Sequence, residues 1–173
     1  ELGISIPKGI PEKYEAVIDT VNLESIAERE RVTKHDVKAR IEEFNDLAGA
    51  EHIHLGMTSR DLTENVEQLQ IRLSLILIRD KSIAALDRLS GLAVAYSELA
   101  MAGRSHNVAA QITTLGKRMA TFAEELLFAV ERLEELIDAY PLRGIKGPVG
   151  TAQDMLTLLD GNVEALSKLE SQV

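Results

Sequence analysis

The stretch from Ser59 to about Ala100 contains no proline and a single glycine, Gly91, and no other feature constrains the fold as tightly. As one helix it would be about 60 Å long at 1.5 Å per residue, beyond an ordinary globular helix. One apolar stripe runs through Leu62, Val66, Leu69, Leu73, Ile76 and Ile83, and a second through Ile71, Leu75, Ile78, Leu89, Leu92, Tyr96 and Leu99. Two faces predict a rod packed on several sides. Leu69–Leu77 also alternates as a strand would. No turn residue bounds it and helical spacing continues on both sides, so a helix is the prediction.

The rest of the chain is predicted helical as well. Residues 1–11, with Gly3, Pro7, Gly9 and Pro11, form an irregular opening segment. From Pro11 to about Val32 two short helices are expected, with Asn22 as a cap between them. Thr33 is expected to open an amphipathic helix in which Val37, Ile41 and Phe44 share a face. Gly49 and Gly56 place a loop at 48–58. A second rod is predicted from about Thr114 to Ala139, with Met119, Phe122, Leu126, Val130 and Leu133 on one face. A Gly/Pro loop follows from Tyr140 to Gly150, then two short helices parted by Gly161. No internal repeat is visible. The expected fold is therefore all-α, dominated by two rods. Their several apolar faces ask for helices that this chain does not supply, so a homo-oligomer is expected.

Composition narrows function by exclusion. No apolar run approaches the ~20 residues of a membrane span, and no apolar leader is visible, so no membrane partner and a cytoplasmic location are expected. Cysteine is absent, which removes disulfides, thiol chemistry and cysteine-ligated zinc. A net charge of −9 and 3% aromatics argue against a nucleic-acid partner.

Four histidines, His35, His52, His54 and His106, are the candidates for chemistry. Each taken alone has an ordinary structural role as its alternative. His35 lies in Thr33-Lys34-His35-Asp36-Val37 at a helix start, where free backbone N–H groups favour an anion. His54 precedes Thr58 and Ser59, which serve either as helix caps or as hydroxyl donors to a ligand. His106 sits in Gly103-Arg104-Ser105-His106-Asn107, between the two rods. Between Leu99 and Ala123 there are three bases, Arg104, Lys117 and Arg118, and no acid. In an acidic chain that stretch points either to an anionic ligand or to a face that pairs with acidic helices. The Arg143–Thr151 loop adds two bases and three glycines without the spacing of a nucleotide-binding loop. His52 and His54, with Glu51, lack a third ligand at suitable spacing, so no metal is expected.

Taken together, Thr-Lys-His-Asp-Val (33–37), His-Leu-Gly-Met-Thr-Ser (54–59), Gly-Arg-Ser-His-Asn-Val-Ala-Ala-Gln (103–111) and Gly-Ile-Lys-Gly-Pro-Val-Gly-Thr (144–151) resemble the adenylosuccinate lyases. These belong to the fumarase/aspartase superfamily. The four motifs occur in family order across nearly the whole chain. The resemblance implies a long-helix bundle of the fumarase/aspartase type, present in part: 1–58 as the end of an N-terminal helical domain, 59–173 as the first part of the central bundle. It implies cleavage of adenylosuccinate to AMP and fumarate, and of the succinylated carboxamide ribotide to its amide and fumarate, with no cofactor. It implies a homotetramer whose sites draw residues from three subunits. His106 matches the general acid that protonates the departing nitrogen, a task that suits imidazole. Lys34, His35 and Asp36 match a substrate-binding segment near the phosphate, and Thr58 and Ser59 a hydroxyl pair on the substrate. His54 and Ser105 match positions close by. Val108 and Ala109 depart from the glutamine and proline of many relatives. The family's serine-rich loop, which carries the catalytic base, has no match, so an internal fragment, inactive by itself, is expected. Argininosuccinate lyase and the cycloisomerase relatives share the chemistry and differ in substrate segments. A helical oligomerisation module without chemistry is the further alternative; it would have no need of histidines at three separate helix ends.

Overall fold

The computed structural model describes residues 4–172; Gly3 of the opening segment lies outside them. Two compact units result, one built from the chain up to Gln68 together with the stretch from Leu142 onward, the other from Leu69–Pro141.

In the first unit α1 (Ile10–Glu15) starts after Gly9, whose φ of 86° is a left-handed turn that glycine adopts without strain. A 3-10 turn (Ile18–Thr20) leads to α2 (Leu23–Thr33). Asn22 caps α2 as its sequence position predicts, its side chain accepting from the N–H groups of Glu24 and Ser25. Thr33 does not open the next helix. Lys34 takes a left-handed turn at φ 55°, and His35 becomes the cap of α3 (Asp36–Ala48). The expected face is present: Val37 is 2% exposed, and Phe44 packs with Ile10, Tyr14 and Ala48. Tyr14 Oη lies 2.7 Å from Asn45 Oδ1 and accepts the His52 N–H at 2.9 Å, which ties α1 to the loop after α3.

Between α2 and α3 lies a polar cluster. Glu43, 4% exposed, accepts from the Ser25 hydroxyl, from the Asn22 N–H at 3.3 Å and from Arg29 Nε at 3.1 Å. The Ser25 hydrogen bond, against the opposing effect of burial and with help from Asn22 and Arg29, holds the Glu43 carboxyl below the usual range. Further along, α6 (Gln153–Leu158) and α7 (Val163–Glu170) form a second small core with Ile145, Met155, Leu159 and Ala165 buried. Gly56 makes close packing there affordable: a Cβ would sit 3.1 Å from Met155 Cα and from Leu158 Cδ2.

The rod α4 runs over Ser59–Ala95, 37 residues, about 55 Å at 1.5 Å per residue. Its continuation Leu69–Ala95 belongs to the second unit, with α5 (Leu115–Asp138), capped by the Thr114 side chain. Arg72 Nε donates to the Ile137 carbonyl at 3.3 Å, and the Gly116 N–H to the Tyr96 carbonyl at 2.8 Å, so the two helices run antiparallel.

Residues 100–114 were expected to be loop and helix, but form an antiparallel hairpin, β1 (Ala100–Ser105) and β2 (Val108–Thr114), with a register shift between Ala102 and Arg104. The fold remains mostly helical, with this one small sheet among the described residues.

Candidate functional site

The first unit carries a polar cleft of about 510 Å³. The α2–α3 corner supplies Glu30, Lys34, His35, Asp36 and Val37; the first turns of α4 supply Ser59, Arg60, Thr63 and Glu67. Lys34, His35, Asp36 and Ser59, all singled out in the sequence, therefore meet in one place. His35 Nδ1 accepts the Lys38 N–H at 3.3 Å as helix cap. In the neutral ring this leaves the proton on Nε2, so the exposed edge is a donor. Lys34 forms no ion pair among the described residues, whereas Asp36 pairs with Arg40 at 3.4 Å. The cleft holds two permanent cations, Lys34 and Arg60, against three carboxylates, Glu30, Asp36 and Glu67. By itself it lacks the positive field that a multiply charged anion requires.

Thr58 stands one residue before α4. Its N–H donates to Asp61 Oδ2 at 2.9 Å, and its carbonyl accepts the Asp61 N–H at 3.0 Å. The cap position thus explains Thr58 structurally, while Ser59 lines the cleft. His54, at φ 62°, lines a different groove of about 670 Å³, mostly apolar, with Ile53, Met57, Leu62 and Phe44. Burial pushes its imidazole below the ordinary histidine range; His35 adds to the shift and the Asp61 carboxylate opposes it.

Ser105 and His106 belong to the second unit. His106 and Asn107 are the two central residues of the hairpin turn, at φ 49° and 63°. Positive φ at both is what a two-residue type I′ connection requires. Both side chains are exposed, and Arg104 Nη1 fixes the turn through the Asn107 carbonyl at 3.0 Å. Arg104, Lys117 and Arg118 form no ion pair among the described residues, so a basic face paired with acidic helices is not what this unit shows by itself. The bases of the 143–151 loop are spent otherwise. Arg143 pairs with Asp61 and with Glu64 Oε2, the latter at 2.6 Å, and Lys146 pairs with Glu170.

Asp61 escaped notice in the sequence, as did Arg60, Thr63 and Glu67. The last three had a signal: with Ser59 they recur at helical spacing on one polar face. Asp61 had only a local one, the Thr58-x-x-Asp61 spacing of a capping box, because its other side-chain partners lie more than eighty residues away.

A family profile described as Lyase matches residues 5–160. The chain belongs to the lyase family. It is 35% identical over 147 residues to the adenylosuccinate lyase of Saccharomyces cerevisiae, covering 84% of this chain and 30% of that protein. To the adenylosuccinate lyase of Methanocaldococcus jannaschii it is 36% identical over 160 residues, covering 90% of this chain and 34% of the other. The chain thus spans about a third of the length of these curated relatives. Among solved structures it is similar to the 3-carboxy-cis,cis-muconate lactonizing enzyme of Pseudomonas putida, with a TM-score of 0.78, 22% identity and coverage of 98% and 40% of the two chains. It is also similar to a fumarate lyase from Mesorhizobium sp. BNC1, with a TM-score of 0.76, 24% identity and coverage of 94% and 40%. These two likenesses concern the fold.

Proposed function

We propose that this lyase-family chain is an internal part of a cytoplasmic adenylosuccinate lyase, which cleaves adenylosuccinate to AMP and fumarate and the succinylated carboxamide ribotide to its amide and fumarate. Residues 1–58 then close an N-terminal helical domain and 59–173 begin the central bundle. The observation that carries the reading is the convergence of Lys34, His35, Asp36 and Ser59 on one cleft, in a chain whose curated relatives are adenylosuccinate lyases.

The chemistry is a β-elimination. A base removes a proton from the carbon next to a carboxylate, that electron pair forms the C=C bond of fumarate, and the C–N bond breaks. The departing nitrogen takes a proton from a general acid, the role that falls to His106. Lys34 and the Nε2–H of His35 bind the phosphate, and the Ser59 and Thr58 hydroxyls orient the rest; His54 and Ser105 keep the supporting places that the family resemblance gives them. The charge balance of the cleft supports a shared site. Two cations facing three carboxylates need further positive charge, which the unpaired bases around His106 supply from another copy in a homotetramer. The base comes from outside these residues.

The test compares three samples by loss of adenylosuccinate absorbance: this chain, the longer protein containing it, and that protein with His106→Asn, a substitution compatible with positive φ. The longer protein is expected to turn over, the chain alone not, and His106→Asn to lower turnover on the order of 10²–10⁴-fold. Ser59→Ala should instead raise KM. A chain as active as the longer protein, or a His106→Asn protein with normal turnover, overturns the assignment.

A further inference from the structure

Asp61 is 1% exposed, yet one end of its environment is the turn that carries Thr58 and Ser59 and the other is a loop far along the chain. Its Oδ2 accepts the Thr58 N–H at 2.9 Å, the reach-back bond of a residue three places into a helix. Its Oδ1 accepts the Lys146 N–H at 2.9 Å and the Gly147 N–H at 3.1 Å, and pairs with the Arg143 guanidinium. Asn65 completes the clamp: its side chain donates to the Gly144 carbonyl at 2.9 Å and accepts the Gly144 N–H at 3.0 Å. The loop in turn buries Ile145 against Met155 and Leu159.

We infer that Asp61 is a positioning residue, whose single carboxylate sets the Thr58–Ser59 turn and seats the Arg143–Gly147 loop together, so that substrate binding at the turn depends on the loop. This rests on the assignment of Thr58 and Ser59 to substrate binding. The carboxylate is needed because both oxygens must accept. An asparagine offers one acceptor oxygen: turned toward the loop, it sets its NH₂ against the Thr58 N–H; turned toward Thr58, it sets the NH₂ against Lys146 and Gly147. Either way one of the two partners is lost. The ionised form is favoured in this site, since four donors outweigh the effect of burial and hold the Asp61 carboxyl below the usual range.

The test uses the longer protein with Asp61→Asn, Ser59→Ala, the double variant and Arg143→Gln. Asp61→Asn should raise KM for adenylosuccinate roughly tenfold to a hundredfold with little change in kcat, since it misplaces a binding group and not the acid. Its effect should be less than additive with Ser59→Ala. Arg143→Gln, which touches the loop and not the turn, should raise KM in the same direction, and it serves alone if Asp61→Asn does not fold. Unchanged KM with a lower active fraction, or full additivity, means that Asp61 only stabilises the fold and overturns the inference. Hydrogen exchange separates it from the substrate assignment. If the parent protein does not cleave adenylosuccinate, that assignment fails, while the coupling still predicts that Thr58 and the Lys146–Gly147 amides lose protection together in Asp61→Asn or in Arg143→Gln. Loss at the loop alone in both variants overturns it.

Discussion

His54 is a residue whose charge the fold opposes, and that has a signature in pH. Its imidazole sits below the ordinary value of 6.5 chiefly because it is partly buried. Below about pH 6.5 the unfolded chain therefore binds more protons than the folded one, and stability falls as pH drops toward the folded value. Asp61 and Glu43 act in a lower window. Their lowered carboxyls give stability that is present above the ordinary carboxylate values near 4 and lost as pH falls through the folded values. Urea midpoints measured between pH 7.5 and 3 should decline in two stages, and His54→Asn should remove the upper one. An upper stage of unchanged size in His54→Asn would contradict this. A residue whose role is written locally was legible in the sequence: Asn22 caps a helix within three positions of where it stands. Asp61 was not, because an acid in the first turn of a helix is an ordinary dipole-complementing residue until its distant partners are known.

At the scale of elements, α4 and α5 were readable because helical periodicity, caps and the absence of breakers agree over long windows. The hairpin was hidden for the opposite reason. Nearly every residue of β2 is exposed, so no inside–outside alternation marks it, and its turn uses His-Asn in place of the familiar Asn-Gly. Both strands lead into the crossing of the two long helices, and Gly116 decides how close that crossing is. A Cβ there would lie 2.4 Å from the Ala93 carbonyl oxygen and 2.6 Å from the Ser97 nitrogen, both backbone atoms that cannot turn aside. Gly116→Ala should therefore destabilise the protein by about 1–3 kcal/mol, although alanine is the better helix former. Gly91→Ala, with nothing within 4 Å, should not. Thermal unfolding of the two variants side by side checks this, and equal midpoints would refute it.

The whole molecule shows large side chains that one copy leaves uncovered. Leu73, Leu77 and Ile78 on α4 and Phe122 and Phe128 on α5 are each about half exposed. These are faces that the proposed tetramer would cover. Sedimentation of the longer protein should show four subunits, and Leu77→Glu with Phe128→Glu should yield smaller species that have lost turnover. A fully active monomer would rule the assembly out. The division of the chain also imposes an order in time. Residues 69–141 interrupt the other unit, so Asp61 and Gly147, 86 positions apart, cannot meet until the whole intervening stretch has been synthesised. At about 5–20 residues per second a ribosome takes roughly 4–17 s to make that stretch. Through that interval Asp61 stays hydrated, Met57 waits for the Ile145–Met155 core, and the first part of the unit is an unfinished surface for chaperones to meet.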